Sequence, residues 1–155
     1  MRQQPIRRAR QQWPGRLSLQ WRVASRHADW LHQADADLRL SRHAQAGAAH
    51  DWACFAAQQA AEKALKAVLM SRGADAWGHT VTALLGVVAD ADPGEELVVC
   101  AKTLDKHYIP TRYPNGLDAG APTDFYTRKD SDDAIACAER IVGFARRQVE
   151  QRSGR

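Results

Sequence analysis

A chain of 155 residues, 45% hydrophobic and 26% charged, has the length and composition of one globular domain and not of a disordered polymer. It contains no apolar run of membrane-spanning length, and its start lacks the apolar segment of a secretory signal, so a cytoplasmic protein is expected. The net charge of +4 is unevenly placed: residues 1–28 hold seven arginines and no acid, and without them 15 basic residues face 18 acidic ones, a balance near −3 that argues against a generally basic nucleic-acid surface on the folded part. Cys54, Cys100 and Cys137 form no C-x-x-C pair, which excludes a zinc ribbon or a disulfide framework and favours three reduced, buried thiols.

Residues 1–24 read as a basic, disordered extension, because Pro5 and Pro14 interrupt them and no apolar period persists. The remainder, 25–152, is expected to form one all-α domain, an antiparallel up-and-down bundle of four to five helices. From Ala28 the apolar residues Leu31, Ala34 and Leu38 recur at helical spacing, and Gly47 is a natural stop. Asp51 is expected to cap a second helix running to about Arg72, with Gly73 beyond it.

That second helix is alanine-rich and apolar over most of its surface. Its polar residues, Gln58, Gln59, Glu62, Lys63 and Lys66, fall within an arc of roughly 140°. Such a helix must be covered on several sides, so it is expected at the centre of the bundle or in a subunit interface as well. A solvated stripe is the plain reading of Lys63 and Lys66, and the Glu62–Lys66 pair is then worth only a few tenths of a kcal/mol.

A short third helix follows Gly78–His79. A fourth begins at Asp92-Pro93-Gly94-Glu95, with Asp92 as cap, carries Leu97, Cys100, Ala101, Leu104 and Tyr108, and is stopped by Pro110. The last starts near Asp130 and buries Ile135, Ala138, Ile141 or Val142, Ala145 and Val149. No segment alternates with a period of two, so no sheet is expected.

The segment IPTRYPNGLDAGAPTDFYTRK, residues 109–129, lacks any period, and loops of this length tend to be functional or disordered. Its aromatic rings flank Arg112, with Tyr108 before it and Tyr113 directly after it. A guanidinium among rings suits a planar anionic ligand: it pairs with phosphate in a fork while a ring stacks on a base. The alternative is that the rings fold the loop onto the bundle and Arg112 makes a structural ion pair.

The run FAAQQAAEKALKAVLMSRG at 55–73 resembles the second helix of HEPN domains. The resemblance extends to His79 before TALL, to Leu104 with Tyr108, and to the segment Tyr108-Ile109-Pro110-Thr111-Arg112-Tyr113-Pro114; it spans about residues 28–150. It implies a helical bundle, usually a homodimer, that binds nucleotide or RNA and often pairs with a small nucleotidyltransferase in a toxin–antitoxin-like system. Toxic members are metal-independent ribonucleases with an arginine and a histidine separated by four to six residues.

This chain departs from that last pattern. No histidine follows Arg112, and His107 precedes it by five residues. Arg22/His27, Arg26/His32 and Arg72/His79 have the spacing but not the family's position. No catalytic residue is therefore assigned. The expected nucleotide- or RNA-binding residues are Arg112, Tyr113, Tyr108, His79, Lys63 and Lys66, with no metal and no cofactor. His79 has a structural alternative, as a helix-entry residue packed beside Trp77. A ribonuclease toxin and a non-catalytic dimeric interaction module stand as the alternative functions.

Overall fold

The computed structural model describes residues 17–90 and 92–153, with side-chain surroundings from Arg26 to Arg152. Residues 1–16, most of the expected extension, lie outside the described residues, and the first helix already begins at Leu17. The described residues form helices and connecting turns without a strand: α1 (Leu17–Ala46), α2 (His50–Ser71), α3 (Val81–Val88), α4 (Glu95–Asp105), α5 (Pro122–Phe125) and α6 (Arg128–Ser153). The five expected helices are present. The sequence did not announce α5, a single turn inside the long 109–129 segment.

The central position of α2 follows from its composition. It touches each of the other five α-helices. Ala53, Ala57, Ala60, Ala61, Ala64 and Ala67 are fully buried, and methyl side chains let neighbouring backbones approach closely. Leu65 and Val68 continue the core toward Val81, Leu85, Leu104 and Ile141. In α6 the expected stripe is buried as read, from Ile135 through Ala138, Ile141, Val142 and Ala145 to Val149.

Three helix ends differ from the sequence reading. Helix α2 starts two residues early, with Ala49 at the cap in place of Asp51, and Asp51 is buried in the first turn. Helix α4 starts at Glu95, because the Asp92 carboxylate accepts the Gly94 N–H at 2.9 Å and closes a turn before the helix. Helix α6 starts at Arg128, because Thr127 caps it: the Thr127 N–H donates to Asp130 Oδ2 at 2.7 Å and Asp130 N–H reaches back to Thr127 Oγ1 at 3.4 Å. These Thr127 contacts hold the Asp130 carboxyl below its usual range.

The end of α2 is as read. Gly73 takes φ +72°, and its N–H and that of Ala74 bond to the carbonyls of Met70 and Leu69, each at 3.0 Å, which satisfies the last turn. At the end of α1 the positive φ falls not on Gly47 but on Ala48, at +60°.

Candidate functional site

The polar stripe of α2 is not solvated. Gln58, Glu62 and Lys66 are buried, at 0%, 4% and 6% exposure. Lys66 Nζ donates to Glu62 Oε1 at 2.8 Å, and the side chains of this pair are 8% and 5% exposed. Lys66 also lies 5.8 Å from the Trp30 ring centre. The expectation of a weak, exposed pair is therefore corrected: α1 and the turn before α3 cover the stripe, and an ion pair out of water must be fully hydrogen-bonded to persist. Burial alone would raise the Glu62 carboxyl, but hydrogen bonds from Lys66, Gln58 and His79 and the Lys66 charge outweigh it and hold the group below its usual range.

Glu62 organises its surroundings. His79 Nδ1 lies 3.0 Å from Glu62 Oε1, and Gln58 Nε2 donates both to Glu62 Oε2 and to the His79 carbonyl, each at 3.1 Å. The turn carrying His79 is also fixed from its far side. Asp105, in the last turn of α4, accepts the N–H groups of Val81 and Thr82 at 2.6 and 3.1 Å and so caps α3 from another helix. His79 is thus held by its ring and its carbonyl, while its side chain stays 58% exposed. The expected contact with Trp77 gives way to Tyr108, on which His79 stacks at 5.1 Å between centres and 12° between planes.

Tyr108 leads to Arg112. The loop coils tightly after α4: Thr111 Oγ1 donates to the His107 carbonyl at 2.7 Å, and Arg112 Nε donates to the Tyr108 carbonyl at 2.9 Å. The guanidinium carbon lies 4.3 Å from the Phe55 ring centre, 4.9 Å from Tyr108 and 5.2 Å from Tyr113. Three rings and one carbonyl therefore fix the plane of this cation. Among the described residues no acid pairs with Arg112, and its terminal amino groups have no hydrogen-bond partner. The structural ion pair considered for Arg112 is not formed.

The site thus joins Lys66, His79, Tyr108, Arg112 and Tyr113 in one continuous chain of contacts through Glu62. Lys63 is not in that chain; it turns toward α1 and pairs with Asp37. Residues that sequence reading missed are Glu62, Gln58, Phe55 and Asp105. The first two carried a signal, since Gln58, Glu62 and Lys66 sit at successive i, i+4 positions of an alanine-rich helix. Phe55 and Asp105 carried none beyond being apolar and acidic.

A second buried group lies under the loop. His107 packs edge-on against Tyr126 at 5.7 Å, and its Nδ1 is buried without a partner among the described residues. Burial pushes the His107 imidazole below its usual value, against the attraction of Asp130. It pushes the Tyr126 hydroxyl up to about 12 and the Cys54 thiol likewise to about 12. Neither is a nucleophile at neutral pH. All three cysteines are free and buried. No helix of the described residues is long and apolar enough to cross a membrane.

The HEPN domain profile matches residues 27–148. Three solved structures share the fold over most of both chains. TT1696 from Thermus thermophilus is 45% identical with a TM-score of 0.77, covering 79% of this chain and 98% of its own. ST0689, an archaeal HEPN homologue, is 40% identical with a TM-score of 0.69, over 79% and 97%. A HEPN domain protein from Thermotoga maritima (tm0613) is 34% identical with a TM-score of 0.61, over 76% and 94%. No curated protein matches. With 122 consecutive residues under one family profile and solved HEPN structures superposing on the bundle, the chain belongs to the HEPN domain family.

Proposed function

We propose that this HEPN protein binds nucleotide or RNA through Arg112 and serves, as a homodimer, as the partner subunit of a small nucleotidyltransferase in a toxin–antitoxin-like system. The observation that supports binding is the state of Arg112: its plane is fixed by three rings, its Nε is committed to a carbonyl, and its terminal amino groups are unpartnered among the described residues. A planar cation held this way loses little entropy on pairing with a phosphate. Tyr113, half of whose surface is exposed, is available to stack on a base, and His79 stacks on Tyr108, one of the rings that flank the guanidinium.

One observation favours a second reading, a metal-independent ribonuclease. The Glu62 carboxylate accepts from His79 Nδ1–H and so leaves Nε2 free to accept a proton, on an exposed ring stacked on the same Tyr108 that flanks the guanidinium. A base near a ribose hydroxyl and a cation near the phosphate are what transesterification requires.

One set of incubations separates the two. Wild type, Arg112→Ala and His79→Ala are titrated with ATP, GTP and a short single-stranded RNA, and the RNA is then run on a gel. Binding weakened at least tenfold in Arg112→Ala, with intact RNA throughout, is the expected result. Cleavage by wild type that His79→Ala abolishes establishes the ribonuclease. Equal affinities of wild type and Arg112→Ala remove the binding role.

A further inference from the structure

The geometry points to a base-binding groove between α1 and α2, next to Arg112, that takes the purine of a nucleoside polyphosphate and selects for its exocyclic amino group. This rests on the reading of Arg112 as the phosphate holder and goes beyond it by placing the base and its specificity. The groove encloses about 320 Å³ and is walled mainly by Leu40, Trp52 and Phe55. Leu40 is 57% exposed and Trp52 53%, and the Trp52 and Phe55 rings meet edge to face at 6.0 Å and 77°. An open corner of two aromatic rings offers a stacking face and an edge.

Two observations assign it to a nucleotide. The first is continuity: the Phe55 ring that walls the groove is the ring closest to the Arg112 guanidinium, at 4.3 Å. A base against the aromatic corner therefore has its phosphates one ring's breadth from the cation. Lys63 and Asp37 at the rim pair with each other, so neither leaves a free charge to repel or capture the phosphates.

The second is the polarity of Gln59, which lines the groove. Both partners of Gln58 Nε2, the Glu62 carboxylate and the His79 carbonyl, can only accept, so this amide nitrogen is the donor and Gln58 Oε1 is left to accept. Gln59 Nε2 supplies that bond at 2.8 Å. Gln59 Nε2 also reaches Glu62 Oε2 at 3.4 Å, so Gln59 Oε1, at the other end of an amide that lines the groove, is left to accept, held by a network that starts at the buried Glu62 carboxylate. This acceptor suits an amino group on the ring, as in adenine.

Three probes test this by calorimetry: ATP, purine riboside triphosphate, which differs from ATP only in lacking the amino group, and inorganic tripolyphosphate. Wild type is expected to bind ATP about fivefold better than the purine riboside analogue, one neutral hydrogen bond. Trp52→Ala is expected to lower ATP affinity about tenfold, the loss of one stacking face, with tripolyphosphate unchanged. Gln59→Leu is expected to erase the difference between ATP and its analogue. Arg112→Ala should weaken all three ligands; if it leaves tripolyphosphate unaffected, the reading of Arg112 fails independently of the groove. An ATP to tripolyphosphate ratio unchanged in Trp52→Ala overturns the groove, as does equal binding of ATP and its analogue by wild type. Sedimentation of the same samples covers one further occupant: loss of ATP preference accompanied by dissociation of an oligomer means that the groove belongs to a second copy of the chain and overturns the assignment.

Discussion

Glu62 has more depending on it than any other single residue. Its carboxylate balances a buried lysine, orients His79 and sets the polarity of two glutamines. Removing one member of a buried pair leaves the other charge stranded, so Glu62→Gln is expected to cost about 3 kcal/mol, measured by denaturant unfolding. The pH dependence has a definite sign. The folded-state pKa of Glu62 is lowered, so its stabilisation is complete above the unfolded value, about 4.5, and is lost as pH falls below it. The His107 pKa is also lowered, so protonation of the unfolded chain begins to weaken the fold already below about 6.5. Melting temperature against pH should therefore fall in two stages for wild type, and Glu62→Gln should keep the first stage and flatten the second. A variant with the full lower stage would show that Glu62 is not the group that titrates.

At the scale of elements, the periods were legible and the starts of α2, α4 and α6 were not. The alanine run of α2 dictated a covered helix because there is too little side chain to keep neighbours away. The stripe of α6 was equally plain. Polar residues on α2 were misjudged because periodicity reports where apolar groups lie, not whether a polar arc is capped by a loop distant in sequence. Helix starts were misplaced where local turns competed, as at Asp92, and the capping of α3 by Asp105 was not legible because that acid comes from another helix. The turn between α1 and α2 yields a test. Ala48 holds φ +60°, a conformation that a β-carbon disfavours by about 1 kcal/mol. Ala48→Gly is expected to stabilise the protein by up to about 1 kcal/mol, although glycine ordinarily weakens a chain. A lower unfolding midpoint would contradict the strain assigned to this residue.

For the whole molecule, what the bundle achieves is convergence. The six candidate residues come from α2, from the turn before α3 and from the coil after α4, and five of them meet because α2 touches every one of its neighbours. The sequence pointed to Arg112 through its flanking tyrosines, but the nearest ring, Phe55, lies 57 positions away and could not be found from spacing. Lys63 shares the polar stripe with Lys66 in the sequence, yet it faces Asp37, since helical residues three apart still point about 60° apart.

The most direct measurement is nitrogen-15 NMR of the Arg112 guanidinium during addition of ATP. If this cation is the phosphate holder, its terminal amino resonances shift and sharpen as they leave water for oxygen ligands, while Nε, already bonded to the Tyr108 carbonyl, moves little. Saturable binding of ATP with every Arg112 resonance unmoved would place the ligand elsewhere and contradict the assignment.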